Sequence, residues 1–107
     1  MIGRIVTVTV DRPLGSLHPR HPDICYPINY GYIEGILAPD GEEQDAYILG
    51  IDCPVKEFTG QIIAIIHRKD DVEDKWVVAP EDMNFSKNEI ERLTHFQEQY
   101  FRIQIIT

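Results

Sequence analysis

The chain has 107 residues, 43% of them apolar, and a formal net charge of −8. That length suits one domain with one core, residues 1–107, and the composition is that of a folded globular chain and not a disordered one. The acidic balance argues against nucleic acid as a partner, because a nucleic-acid binder needs a basic footprint. No apolar run approaches the about 18 residues of a membrane span, so no membrane partner is expected. The two cysteines, Cys25 and Cys53, form neither a C-x-x-C pair nor a disulfide framework and read as reduced thiols of a cytoplasmic protein.

The N-terminus starts like a strand, not like a signal peptide. From Ile2 to Val10, Ile5, Thr7 and Thr9 fall on one face and Val6, Val8 and Val10 on the other, which predicts a β-branched strand. Asp11 to Asp23 contains Pro13, Gly15, Pro19 and Pro22 and predicts a long, stiffened loop, a common carrier of function. Tyr26 to Leu37 reads as strand interrupted by turns. Its tyrosines 26, 30 and 32 share strand parity, so one face would carry all three unless a kink at Gly31 redirects Tyr32. Ala38-Pro39-Asp40-Gly41 is a turn signal. Asp45 to Gly50 predicts a short strand, Lys56 to Gly60 a turn and Gln61 to His67 a buried strand. Arg68 to Asp74 is a charged turn, and Lys75 to Ala79 is the strand returning from it. Ser86-x-x-Glu89 is a capping box opening a helix with Ile90, Leu93, Phe96 and Tyr100 as its apolar stripe. Ile103 to Ile106 predicts an edge strand. Five or so short strands followed by one helix predict a mainly β (α+β) fold, a small barrel or rolled sheet with the C-terminal helix packed on it.

The densest chemistry lies in Asp40-Gly41-Glu42-Glu43-Gln44-Asp45, where four carboxylates fall within six residues. Like charges so close repel unless a cation neutralises them, and Gly41 permits the tight turn that lets them converge. Taken alone, the segment fits a solvated acidic turn as well as a site for a hard divalent ion. The order of an EF-hand loop is missing. Upstream, Tyr26-Pro27-Ile28-Asn29-Tyr30-Gly31-Tyr32-Ile33 brings three phenols close together, suited either to aromatic core packing or to donation toward phosphate oxygens.

The sequence Tyr-Pro-x-Asn-Tyr-Gly-Tyr-Ile followed by Asp-Gly-x-x-x-Asp resembles soluble family I inorganic pyrophosphatase. Lys75-Trp76-Val77-Val78-Ala79-Pro80 resembles that family's lysine-bearing strand, and His95-Phe96-x-Glu98-x-Tyr100 its C-terminal helix. The resemblance implies an OB-like β-barrel and Mg²⁺-dependent hydrolysis of pyrophosphate to two phosphates (an inorganic diphosphatase), with Mn²⁺ as an alternative ion. It implies Asp40 and Asp45 as metal ligands and Tyr30 beside the attacking water. Lys75 and Tyr100 become phosphate contacts, with Tyr26 and Arg20 beside them. In the turn after Arg68, Glu73 is favoured as a further metal ligand, and Asp71 shares its parity. Self-association into a homo-oligomer is expected from the family and from the small core.

Three departures bear on activity. Where the family has an aspartate as general base, this chain has Glu42, one methylene longer, with Glu43 as neighbour. The family's lysine after the tyrosine is here Phe101, with Arg102 next. The family's longer charged hairpin is replaced by the loop from Asp11 to Cys25, whose Arg12, His18, Arg20 and His21 are the available phosphate contacts. His18 and His21, each followed by proline, also pose as transition-metal ligands, but without a third partner. A non-catalytic phosphate- or nucleotide-binding module, or a hydrolase of a different phosphoanhydride, remains the alternative, since fold does not fix function.

Overall fold

The computed structural model describes residues 1–71 and 73–107. Six strands and one helix follow in the order β1 (Ile5–Arg12), β2 (Asn29–Leu37), β3 (Glu43–Ile48), β4 (Glu57–Arg68), β5 (Asp74–Ala79), α1 (Lys87–Glu98) and β6 (Ile103–Ile106). They form one sheet in the order β1-β2-β3-β5-β4-β6, and an added β1–β4 pairing closes the first five into a barrel. Among the described residues only β3 and β5 run parallel, and every other strand pair is antiparallel. Closure removes the sheet edges that five short strands would otherwise expose. This is the mainly β, OB-like barrel that the sequence predicts.

The long strand β4 organises the assembly. Its first half, Glu57 to Gln61, pairs with β1. Its last four residues, Ile65 to Arg68, pair with β6, while the opposite edge holds β5. The predicted turn at Lys56 to Gly60 is therefore mostly strand. Gly60 is a close-approach glycine, not a turn glycine: an added Cβ would meet the Phe58 ring at 2.4 Å and the Ala79 carbonyl oxygen at 2.6 Å. Gly31 is tighter still, since its Cβ would fall 1.9 Å from the Thr9 carbonyl oxygen.

Two apolar clusters result. Val6, Val8, Ile33, Ala46, Ile48, Ile62, Trp76 and Val78 fill the barrel. Ile28, Tyr47, Leu49, Ala64, Ile66, Val77, Ala79 and Ile90 lie between the barrel wall and α1. Because β5 serves both, with Trp76 and Val78 inside and Val77 and Ala79 outside, it reads as an unbroken apolar run. In β4 the β5 register slips between Ile62 and Ala64. Ile62 consequently serves the barrel core while Ala64 and Ile66, of the same parity, serve the helix-side core.

The helix begins at the predicted capping box: Ser86 Oγ accepts from the Glu89 N–H at 3.1 Å, and Glu89 Oε1 accepts from the Ser86 N–H at 3.0 Å. It buries Ile90, Thr94 and Glu98, and it ends at Glu98 with Gln99 as cap. The predicted stripe is thus corrected at its end, because Tyr100 lies past the helix and is 63% exposed. No helix is long and apolar enough to cross a membrane among the described residues.

Candidate functional site

Backbone irregularities at one end of the barrel aim the polar side chains. Between β1 and β2, Val10 faces Gly31 and Arg12 faces Tyr30, so Asp11 is the extra residue of a bulge. Between β2 and β3 a second irregularity spans Ile33 to Leu37. The turn beyond it is closed by Asp40, whose Oδ1 accepts from the Glu42 N–H at 3.0 Å, and by Gly41 at φ +86°. On β3, Asp45 sits opposite Tyr32. On β5, Lys75 immediately precedes Trp76, which pairs with Ala46. The parallel β3–β5 pairing therefore sets Asp45 and Lys75 side by side.

These elements enclose a cavity of about 370 Å³ whose wall includes Asp40, Glu42, Glu43, Asp45, Glu73 and Asp74, with Asp11, Tyr32 and Lys75. A second cavity of about 400 Å³ adjoins it. Arg12, His18, Arg20, Tyr26, Tyr30 and Gln97 line this one, and Asp11, Asp45 and Lys75 belong to both. The two form a single cleft, anionic at one end and cationic at the other.

Lys75 sits at the junction, only 4% exposed. Its Nζ lies 2.6 Å from Asp45 Oδ2 and 3.0 Å from Glu73 Oε2, and 5.8 Å from the centroid of the Tyr30 ring. Tyr30 packs in tilted contact between Tyr26, at 5.7 Å, and Tyr47, at 4.9 Å. Burial, then the charge of Asp45 and a hydrogen bond to it, hold the Tyr30 phenol well above its usual pKa and keep it protonated. Desolvation in the cleft raises the Asp11 carboxyl; Arg12 opposes that rise and Asp45 adds to it. Desolvation, then His21, Arg12 and Arg20, lower His18.

Behind the cleft a buried network fixes its wall to the helix. Glu98, 2% exposed, accepts from Arg68 Nε at 2.9 Å and Nη2 at 2.6 Å, and from the Tyr47 hydroxyl at 2.7 Å. Gln97 Nε2 donates to the Tyr47 oxygen at 2.7 Å, and Tyr26 donates to Gln97 Oε1 at 3.0 Å. Arg68 Nη1 lies 3.6 Å from Glu73 Oε2, the same oxygen that Lys75 holds. Burial works against the Arg68 charge, but the Glu98 bonds outweigh it and raise its pKa. Asn29, fully buried, joins the two flanking loops: its Oδ1 accepts from the Leu14 N–H at 2.9 Å and its Nδ2 donates to the Cys53 carbonyl at 2.9 Å.

Of the residues singled out in the sequence, Arg20, Tyr26, Tyr30, Asp40, Glu42, Asp45, Glu73 and Lys75 line the cleft. Asp71 is not among the described lining residues; it sits in the turn after β4, its N–H 3.4 Å from the Arg68 carbonyl. Tyr100 lines a neighbouring cavity. Tyr26 precedes β2, so its ring joins Tyr30 through loop packing and not through strand parity. Sequence reasoning missed Asp11 as a cleft residue, and also the Arg68–Glu98 pair. An aspartate closing a strand of alternating valines is a faint signal for the first. A glutamate eight residues after Ile90 on the helix, hence on its buried face, was the available signal for the second.

Comparison with protein-family models and with curated proteins finds no match. Among solved structures, an inorganic pyrophosphatase from Neisseria gonorrhoeae is 22% identical with a TM-score of 0.69, covering 92% of this chain and 74% of that one. The enzyme from Ehrlichia chaffeensis is 16% identical with a TM-score of 0.72, over 97% and 85%. That from Thermus thermophilus is 16% identical with a TM-score of 0.66, over 96% and 80%. The chain therefore shares the inorganic pyrophosphatase fold across nearly its whole length.

Proposed function

We propose that this chain hydrolyses inorganic pyrophosphate to two phosphates with the help of a hard divalent cation, Mg²⁺ or Mn²⁺. The observation that carries the reading is the single cleft in which a carboxylate-rich cavity meets a cationic one across Asp45 and Lys75. Anionic substrate and carboxylates can share such a site only with cations between them.

The donors suit such an ion, since all are carboxylate oxygens. Among the described residues no three His, Cys, Asp or Glu side chains already converge on one point. The Lys75 ammonium instead supplies the positive charge between Asp45 and Glu73. Asp40, Asp45 and Glu73 would hold the ion, with Asp11 and Asp74 in reach of the same cleft; Asp71 is the outlying member of the proposed set. Bound there, the ion would neutralise phosphoryl oxygens and acidify the attacking water. Glu42 would accept that water's proton, and Tyr30, kept protonated, would orient it by hydrogen bonding. Lys75, Arg20, Arg12 and Tyr26 would bind phosphate oxygens, with Lys75 offsetting charge on the leaving phosphate. A cytoplasmic homo-oligomer belongs to the same proposal.

One observation favours a second reading, a non-catalytic phosphate binder: Lys75 already satisfies Asp45 and Glu73, so an ion must displace it. Phosphate release from pyrophosphate with Mg²⁺ or Mn²⁺, by wild type beside Asp45→Asn, separates the two. Metal-dependent release by wild type that Asp45→Asn abolishes supports hydrolysis. Absence of release with retained pyrophosphate binding supports the binder.

A further inference from the structure

Beside the cationic end of the cleft lies another cavity, of about 330 Å³. Its wall includes His18, His21, Asp23, Gln97, Tyr100 and Phe101. His18 and Gln97 also line the cationic cavity, so one imidazole and one amide separate the two spaces. The wall is built of rings. His18 and His21 lie 5.0 Å apart, and His18 stacks on Tyr26 with an interplanar angle of 7° at 6.2 Å. Phe101 is held by the Arg68 guanidinium, 3.7 Å from its ring centroid, and that guanidinium is fixed in turn by Glu98. Tyr100 stands 63% exposed at the mouth.

A planar heterocycle can stack on such rings, which a bare phosphate cannot. The volume falls at the lower end of the about 300–1,000 Å³ of small-molecule sites. Asp23 adds an acceptor for amino groups on a base edge. The shift that lowers His18 favours the neutral imidazole, the form that stacks without charge against a base.

We infer that this cavity is a nucleobase subsite and that the cleft accepts a nucleoside di- or triphosphate, its phosphates on the cationic wall and its base among His18, His21, Tyr100 and Phe101. This rests on the reading of the cleft as a phosphoanhydride site. Phe101 and Tyr100 thereby gain a role that their distance from the acidic cavity otherwise leaves open.

The test uses the full chain with Mg²⁺ and two ligand types of equal phosphate number. These are inorganic tripolyphosphate and nucleoside triphosphates, both with the oxygens bridging phosphorus atoms replaced by methylene. Affinity is measured by calorimetry and contact by amide NMR shifts. The nucleotides should bind about tenfold tighter than tripolyphosphate, as stacking of one base allows. They should shift the amides of His21, Asp23, Ile24, Tyr100 and Phe101, which line only this cavity and which tripolyphosphate leaves in place while shifting those of the cleft. In Tyr100→Ala, exposed and so tolerant of truncation, the nucleotide-to-tripolyphosphate ratio should fall toward one. Equal affinity for both ligands, silent amides at His21, Asp23, Ile24, Tyr100 and Phe101, or an unchanged ratio in both Tyr100→Ala and His21→Ala would overturn the subsite and leave the cleft reading intact. Failure of tripolyphosphate and nucleotide alike to shift any cleft amide would overturn both.

Discussion

Replacing Glu98 by glutamine keeps the shape of the side chain and removes only its charge and one acceptor atom. In the native protein Oε1 takes Arg68 Nε, while Oε2 takes Arg68 Nη2 and the Tyr47 hydroxyl. An amide nitrogen at the Oε2 position would lose two bonds, so it settles at Oε1, where it faces the Arg68 Nε–H donor to donor. Arg68, 5% exposed, then keeps one neutral acceptor on residue 98, and its other anion, Glu73, stands 3.6 Å away. Removing one partner of a buried ion pair typically costs about 3–5 kcal/mol; the retained bonds set Glu98→Gln near the lower figure, about 3 kcal/mol. For a domain of this size that is a large share of a total of about 5–15 kcal/mol and a fall in melting temperature of about 15 °C. Urea unfolding, followed by the fluorescence of Trp76 and by helix circular dichroism, measures it. A double variant, Arg68→Met with Glu98→Leu, removes both charges and should lose less than Glu98→Gln alone. A Glu98→Gln protein within about 1 kcal/mol of wild type would refute the buried ion pair as a structural link between helix and cleft.

Gly31→Ala drives a Cβ onto the Thr9 carbonyl oxygen of the paired strand, and should cost more than about 4 kcal/mol, read as loss of soluble folded protein. Tyr30 and Tyr47 both have phenol pKa values raised by burial, next by Asp45 and Glu98 respectively. A raised folded-state value contributes stability below the unfolded pKa of about 10 and loses it as pH climbs from there toward the folded value. Spectrophotometric titration should therefore show at least two of the five tyrosines ionising only together with alkaline unfolding. Lys75→Ala removes the ammonium held by Asp45 and Glu73 and leaves Glu73 only the Arg68 guanidinium; Mg²⁺ should bind more tightly by calorimetry while phosphate release falls on the order of a hundredfold. Parallel loss of both would contradict the role given to Lys75. Ser86→Ala breaks the capping box and should lower stability by about 1 kcal/mol in the same urea assay.

Much of the fold was legible because local chemistry and tertiary environment agree. The alternation in β1 matches one face on the barrel core, and the Ser86–Glu89 box marks the helix start without ambiguity. The segment from Lys56 to Gly60 was not legible as strand: its lysine, glutamate and glycine read as turn, and the pairing with β1 that makes it strand lies some fifty residues away in sequence. Parity misled at Tyr26, since the strand begins only at Asn29. In the site, Asp40, Asp45, Tyr30 and Lys75 could be named because their motif is contiguous or ends a strand. Asp11 enters the cleft through a bulge, and Glu98 meets Arg68 across the helix–sheet interface. Neither a register slip nor a long-range ion pair leaves a periodic trace in one sequence.

The central claim is that the joined acidic and cationic cleft turns over a phosphoanhydride. The most direct test is phosphate release from pyrophosphate by the purified full chain, with Mg²⁺ and then with excess chelator. The account predicts two phosphates per pyrophosphate consumed, arrested by the chelator and restored by added metal. No metal-dependent release above the Asp45→Asn level would contradict it.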